Sequence, residues 1–454
     1  MATITPLRGK TVPGPHSLNP LKSTFAFQHH PLQFLAGLQK HYGDISQFRL
    51  LIWPTVFINH PDYIKHVLQD NHRNYDKSVH LFEIGKPLLG NGLITAAGGN
   101  DWLRQRRLVQ PAFHRSRIAA LATLITDATS GMLKQWDTYA HERQVFDIAE
   151  EMGNLTLQIL SKALFNVDIS AKTNKFGRAF SQANAFLIDY FYMPFPPLFV
   201  RTPHNRHFWL AVQTMDTIAY EIIQDRRLHQ KDVGDLLSML LNAVDESGQK
   251  MDDNQLRDEI KTLLVAGHET SSVALAWTWY LLTQHPKVEE RLYAELDQIL
   301  AGRMPTVEDL PQLHYTRMVL EEAMRLYPPA WQLMRRTIED DEIDGYHIPA
   351  NSSMLWSTYF SHRHPDFWEK PEQFYPEHFS AEGSAKRPRH AYMAFGSGPR
   401  ICIGNTFAMT EMQLILATIA QRYRVSLASG HRVESESLLT LRPKNGVLVS
   451  IESR

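Results

Sequence analysis

Apolar positions recur with a helical period along most of the chain and with a strand period in only a few short stretches. Pro31 to Tyr42 spaces its apolar residues as a helix does and stops at Gly43. Ile45–Leu51 and Thr55–Ile58 alternate instead, which predicts a hairpin around Trp53-Pro54. Asp62–Asp70 reads as a short helix, 116–168 as two helices and Arg206–Gln230 as another. Residues 71–101 are rich in Gly and poor in pattern. Ala183–Phe199, ANAFLIDYFYMPFPPLF, crowds aromatics and prolines and predicts a core helix running into a loop. Exposed apolar loops of this kind also mark lipophilic entry sites. Asp344-Gly345 and Asn445-Gly446 are hairpin turn signals. Residues 1–30 show little periodicity and predict an extended arm. Residues 31–454 then form one domain, mainly α, with small antiparallel β-sheets.

The longest regular run goes from Asp252 to His285. It holds no Pro and one Gly, Asp252 with Gln255 resembles a capping box, and Pro286 lies just beyond the end. A helix of roughly 33 residues spans about 50 Å, enough to cross the molecule. Its middle, LLVAGHETSSVALAW, is apolar nearly all round and so must be buried. Inside that stretch sit Gly267, His268, Glu269 and Thr270. Gly in a helix interior costs about 1 kcal/mol relative to Ala. Thr270 can bond back to the Ala266 carbonyl and bend the helix. A buried carboxylic acid has no packing rationale, so this turn points to chemistry, with Gly267 letting a ligand approach the backbone.

Composition narrows the classes. The 454 residues carry a net charge of −1 and 43% hydrophobic residues, which fits a large core and no nucleic-acid surface. The single cysteine excludes an internal disulfide framework and fits a reducing, cytoplasmic compartment. The first twenty residues contain no apolar run long enough for a signal peptide or membrane anchor. There are no Cys clusters for an iron–sulfur group.

That cysteine, Cys402, lies in FGSGPRICIG, with Phe395 seven residues before it, Gly398 four before, Arg400 two before and Gly404 two after. Five specified positions in ten arise by chance at a rate on the order of one in 10^4 in a chain this long. Gly396 and Gly398 keep the segment free of bulk, so a backbone can lie against a flat ligand. Gly404 opens the helical run through Phe407, Met412, Leu414, Ile415 and Ile419. A thiol just before a helix N-terminus is favoured as thiolate, and a thiolate held against a flat surface is what an axial haem ligand requires.

The segment resembles the haem-binding signature of the cytochrome P450 monooxygenases. Residues elsewhere extend the resemblance. Trp102 and Arg106 share a helix face at i, i+4, where the family places Trp and Arg to bind a haem propionate. Arg335 is the counterpart for the second propionate, with Arg336 as the alternative, and Arg400 joins them. AGHET, from Ala266 to Thr270, is similar to the family's oxygen-binding groove. There Thr270 would donate a hydrogen bond to bound dioxygen and Glu269 would relay protons. Glu322 and Arg325 match the family's Glu-x-x-Arg, a structural brace. Its third member is usually the Arg of Pro-Glu-Arg-Phe, but here Pro376-Glu377-His378-Phe379 puts His378 in its place. An imidazole donates fewer hydrogen bonds than a guanidinium.

The resemblance implies haem b (iron protoporphyrin IX), with Cys402 as the metal ligand. It also implies insertion of one oxygen atom from O2 into a C–H bond of a lipophilic substrate. It is similar to soluble bacterial members without a membrane anchor, whose electrons come from a separate ferredoxin- or flavodoxin-type donor and its reductase. Arg104, Arg107 and Lys386-Arg387-Pro388-Arg389 would form an acidic donor's docking face. Residues 71–101 and the aromatic stretch 183–199 would wall and cover the pocket, with Phe82, Phe186, Ala330 and Trp331 facing substrate. The framework is similar to members acting on fatty acids, terpenoids or carotenoids. The alternatives are a haem peroxygenase or isomerase that needs neither O2 nor NAD(P)H, against which Glu269-Thr270 argues, and a haem-binding sensor, for which no signalling module is visible.

Overall fold

A computed structural model describes residues 9–15, 20–165, 170–192, 194–229 and 235–454. Its centre is the helix Asp253–Gln284, with Asp252 at the N-cap accepting from the Gln255 N–H at 2.8 Å. The helix Ile148–Phe165 lies along one flank. Pro203–His229, His314–Leu326 and Asn405–Ala420 also pack on it. A helix apolar on every face needs neighbours on every face, and these helices supply them. Trp277 shows the depth of that packing. It stacks on Tyr327 with ring centroids 3.9 Å apart, and its indole N–H donates to the Leu441 carbonyl at 2.8 Å.

The strands gather at the edges. One sheet runs Ile45–Leu50, Trp53–Ile58, Ser353–Trp356, Leu333–Thr337, Tyr75–Asp76. The sheets are small, as expected, but not wholly antiparallel. Thr55–Ile58 runs parallel to Ser353–Trp356, and Lys10–Thr11 parallel to Tyr346–His347. These partners lie far apart in the chain, so no tight turn dictates their direction. In the expected hairpin, the turn falls at Leu51-Ile52, and Trp53-Pro54 belongs to the second strand. Residues 71–101, expected to be irregular, include the helix His80–Leu89, and 116–165 divides at Leu121 and Arg143 into three helices.

The arm expected over residues 1–30 is extended only in part. Residues 1–8 and 16–19 lie outside the described residues. Lys10–Thr11 is a strand with Val12 buried beside it, but Pro20–His29 is a helix. Phe27, 1% exposed, anchors that helix against Phe34 and Phe48. Burial of one aromatic offset a weak helical pattern, which is why periodicity alone misses it.

The brace around Arg325 forms as the resemblance implied. Arg325 donates to both oxygens of Glu322 at 2.8 Å and to the carbonyls of His362, Pro371 and Gln373, with no exposed surface on either side chain. His378 faces Glu322 through Nδ1 at 3.1 Å and the Glu369 carbonyl through Nε2 at 2.5 Å. Both ring nitrogens meet acceptors. The missing guanidinium is replaced from another position. Arg387 packs over Trp368 at 4.4 Å, where Arg325 makes a second cation–π contact at 4.9 Å, and donates to the His378 carbonyl.

Removing one partner of a buried ion pair strands the other, at about 3–5 kcal/mol. Glu322→Ala should therefore lower equilibrium stability in urea by that amount, and His378→Ala by roughly 1–3 kcal/mol, the loss of one hydrogen-bonded partner. A Glu322→Ala midpoint equal to the parent's would show that the pair is not holding the fold.

Candidate functional site

Along the central helix, residues 256–265 and 271–279 are buried almost without exception, whereas Ala266, Gly267, His268, Glu269 and Thr270 all retain accessible surface. The exposed turn is nonetheless surrounded by protein: burial pushes the pKa of His268 down to about 4 and that of Glu269 up. The accessible surface therefore faces an internal cleft and not bulk water. The Thr270 hydroxyl donates to the Ala266 carbonyl at 2.6 Å, as its spacing predicts. Its hydrogen is thereby used, and its oxygen faces outward as an acceptor.

Gly267 has a different reason from the one its sequence context suggests. A Cβ there would lie 2.9 Å from both methyl carbons of Leu160. The glycine lets the helix Ile148–Phe165 come close, and ligand access to the backbone is not what requires it. His268, passed over in the sequence, belongs to the same contact. It bonds the Gly153 backbone, and Thr156 Oγ1 donates to the His268 carbonyl at 3.3 Å.

The thiol segment closes on itself: the Cys402 N–H donates to the Phe395 carbonyl at 2.9 Å. Gly396 and Gly398 have φ of +70° and +69°, and a Cβ on Gly398 would meet the Leu68 carbonyl oxygen at 1.9 Å. Cys402 has accessible surface, yet burial raises its pKa, so this surface too faces the interior. The Gly404 N–H and the Arg106 charge act the other way and favour thiolate. Arg106 is held there by donating to the Ile401 carbonyl at 2.9 Å.

Three cations meet close by. Arg400 stacks over Trp102 at 4.2 Å and donates to the carbonyls of Ala96 and Ala97. Strand alternation turns Arg335 inward, 5.6 Å from the Trp356 ring, and sends Arg336 to Asp76 at 2.7 Å, which separates the two candidates. Lys77, which the sequence reading missed, donates to the Ile94 carbonyl at 2.8 Å. Burial pushes all three down, with added repulsion from Arg335 and Arg400 at Lys77, from Arg400 at Arg335 and from Arg106 at Arg400: Lys77 falls well below its ordinary range, Arg335 to about 9 and Arg400 to about 10. A guanidinium keeps its proton in proteins, so this pressure marks a site that needs anions. The thiol, the cleft along 266–270 and the cation cluster together fit a flat cofactor bearing carboxylates. Nothing local marks Lys77 in the sequence; only the fold brings it beside Arg335 and Arg400.

The expected pocket residues separate. Phe82 is half-buried beneath the Lys77 ammonium, 4.7 Å from its ring centre, and Ala330 is half-buried with its carbonyl accepting from Thr358. Trp331 offers no surface to a ligand: it is 1% exposed, and its indole N–H donates to the Leu438 carbonyl at 2.8 Å. Phe186 is likewise buried, stacked between Tyr190 and Phe208 where the helices Ser170–Tyr192 and Pro203–His229 meet. Both are aromatics used for packing.

The basic face expected near Arg104, Arg107 and Lys386–Arg389 is largely neutralised. Arg104 pairs with Asp245, Arg107 with Glu246 and Lys386 with Glu382, and Arg387 is packed over Trp368. A surface cleft of about 760 Å³ opens among His314, Arg317, Ser384 and Arg389, away from the central helix.

The comparisons agree with this geometry. The family model described as Cytochrome P450 matches residues 11–449. Among curated relatives, cyclooctat-9-en-7-ol 5-monooxygenase of Streptomyces melanosporofaciens is 38% identical over 426 residues, covering 92% of this chain and 90% of that protein. Pentalenene oxygenase of Streptomyces avermitilis is 30% identical and covers 90% of each. The crystal structure of the cytochrome P450DA haem domain superposes with a TM-score of 0.88 at 25% identity, covering 98% of both chains.

The cation cluster can be tested directly. Lys77→Met should lower the haem retained per chain after gel filtration, and it should raise the melting temperature of the haem-free protein by relieving buried repulsion. If both measurements equal the parent's, Lys77 is not part of the anion site.

Proposed function

The chain belongs to the cytochrome P450 family, and we propose that this monooxygenase hydroxylates a cyclic terpenoid with electrons from a separate ferredoxin- or flavodoxin-type protein. The observation that carries the reading is the open turn Ala266–Thr270, with its acid and hydroxyl, in a helix otherwise buried. The terpenoid assignment is supported by relatives named for cyclooctat-9-en-7-ol and pentalenene. Among the described residues no helix is long and apolar enough to cross a membrane. We assign the chain to the cytoplasm.

The residues present suit haem b. Cys402 would be its iron ligand, with Phe395 and Gly404 flanking the thiolate and Arg106 favouring it. Trp102, Arg335, Arg400 and Lys77 would hold its propionates through charge-assisted hydrogen bonds. Haem ligated by thiolate supplies oxygen activation and insertion into a C–H bond. The protein's part is to keep the cleft dry and to hold a proton. Burial raises the Glu269 pKa, so the side chain stores a proton as a neutral acid that an exposed carboxylate would have lost. Thr270, its hydrogen given to Ala266, offers an acceptor to the cleft; to donate there its hydroxyl would have to turn away from the Ala266 carbonyl first. For the electron donor, Arg389 at the surface cleft offers a cation to an acidic surface in place of the neutralised patch, whereas Arg317 there is paired with Glu321 at 3.2 Å.

Two measurements test this. Cyclic terpenoids should shift the visible spectrum of the purified haem-loaded protein. Fatty acids shifting it instead would overturn the substrate class. With a surrogate reductase, Thr270→Ala should keep NAD(P)H consumption but divert it to hydrogen peroxide, whereas Glu269→Gln should slow oxygen consumption itself. Because Glu269 donates only when protonated, oxygen consumption in the parent should fall as pH rises through its elevated pKa, and Glu269→Gln should remove that limb. A fully coupled Thr270→Ala variant would reduce the hydroxyl to a helix-shaping role.

A further inference from the structure

The strands Ser435–Ser437 and Leu441–Pro443 form a hairpin whose tip is tied to two other parts of the fold. Thr440 Oγ1 donates to Glu269 Oε1 at 2.8 Å. The Leu441 carbonyl accepts from Trp277, one more contact with the central helix, at 2.8 Å. The Leu441 N–H donates to the Pro329 carbonyl at 3.0 Å, and the Leu438 carbonyl accepts from Trp331 at 2.8 Å. One four-residue tip thus holds the acid of the central helix and the segment Pro329–Trp331. Thr440 is 4% exposed, while Leu439 beside it is 45% exposed.

The hydrogen bond holds one oxygen of the acid, Oε1, against the hairpin tip. The other, Oε2, has no hydrogen-bond partner among the described residues and is sealed from water. So held, the carboxyl group passes no proton to water until the side chain moves. Arg442 is the charged group that favours ionisation of Glu269; Arg442 is itself paired with Glu436 at 3.0 Å, and the adjacent His268 is kept neutral by burial.

We infer that the tip Leu438–Leu441 is a latch on proton delivery: Thr440 is a positioning residue that holds Glu269 withdrawn, and an apolar substrate bearing on Leu439 shifts the tip and releases it. This rests on the monooxygenase reading and adds to it a link between substrate presence and proton supply. It also gives Trp331 a role, as the tether on the tip's other side.

Thr440→Val keeps the shape and removes the donor; Thr440→Ser keeps the donor. With a surrogate reductase and no substrate, Thr440→Val should consume oxygen about tenfold faster than the parent, the weight of one hydrogen bond to an ionisable group. Thr440→Ser should match the parent. The Thr440 bond lowers the Glu269 pKa, so its loss should move the basic limb of the pH profile upward. The second readout needs no turnover: the infrared carboxyl band absent from Glu269→Gln should shift in Thr440→Val and titrate at higher pH. Equal substrate-free rates and an unmoved band would overturn the latch. So would a Thr440→Val enzyme that loses oxygen consumption while Thr440→Ser retains it, since Thr440 would then deliver the acid and not withhold it. A parent that consumes no oxygen under reduction would sink the monooxygenase reading instead, and the infrared comparison would still judge the hydrogen bond.

Discussion

The cost of holding ionisable groups out of water shapes this molecule. At its centre lie a thiol, an acid, two guanidiniums and an ammonium, each displaced by burial from its ordinary titration range. Such groups persist only where the surrounding structure is stable enough to bear them. The central helix provides that stability by being buried for two turns and more on each side of the strained segment. Elsewhere in the fold, the brace of Glu322, Arg325 and His378 does the same from a separate, fully paired network. The two regions follow opposite rules. In the brace every donor meets an acceptor, so it holds the fold. In the cleft, charges press on one another, so it calls for a ligand.

How much of this the sequence discloses depends on whether the cause is local. The central helix was legible to its cap because apolar periodicity, the Asp252 cap and Pro286 are all local signals. Thr270 bonding back to Ala266 was legible for the same reason. Cys402, Arg106 and Arg400 stood out through spacing in short segments. Lys77 and Thr440 did not, because each matters only through a partner more than 150 positions away: Arg335 and Arg400 for one, Glu269 for the other. The helix Pro20–His29 was missed because one buried phenylalanine, and not a repeating pattern, holds it. Trp331 and Phe186 show the converse error. Aromatic character suggested contact with a lipophilic substrate, but the same character makes them good packing residues, and packing took both.

The departure at His378 shows what the brace needs. The position lacks the guanidinium of the family pattern, yet the positive charge around Glu322 is not lost. His378 contributes hydrogen bonds in two directions, and Arg387, nine residues on, brings its guanidinium over Trp368 from outside. The requirement is for donors around a buried carboxylate and charge near it; the residue that supplies them is free to change. The same exchange explains why the basic face expected for an electron donor is weak. Arg387 cannot both complete the brace and face a partner, so part of the surface charge has been drawn inward.

Gly267 fixes one flank of the turn that holds the acid. Its missing side chain admits Leu160, which fixes the helix Ile148–Phe165 against the central helix at the height of Glu269 and Thr270. His268 and Thr156 add polar links at the same level. The turn that carries the acid and hydroxyl is therefore clamped on this flank, and it cannot open toward that neighbour. Motion of the Glu269 side chain must come from the other side, where its only side-chain hydrogen bond among the described residues runs to a hairpin tip. Rigidity on one flank and a single releasable bond on the other would confine any movement of the acid to one direction.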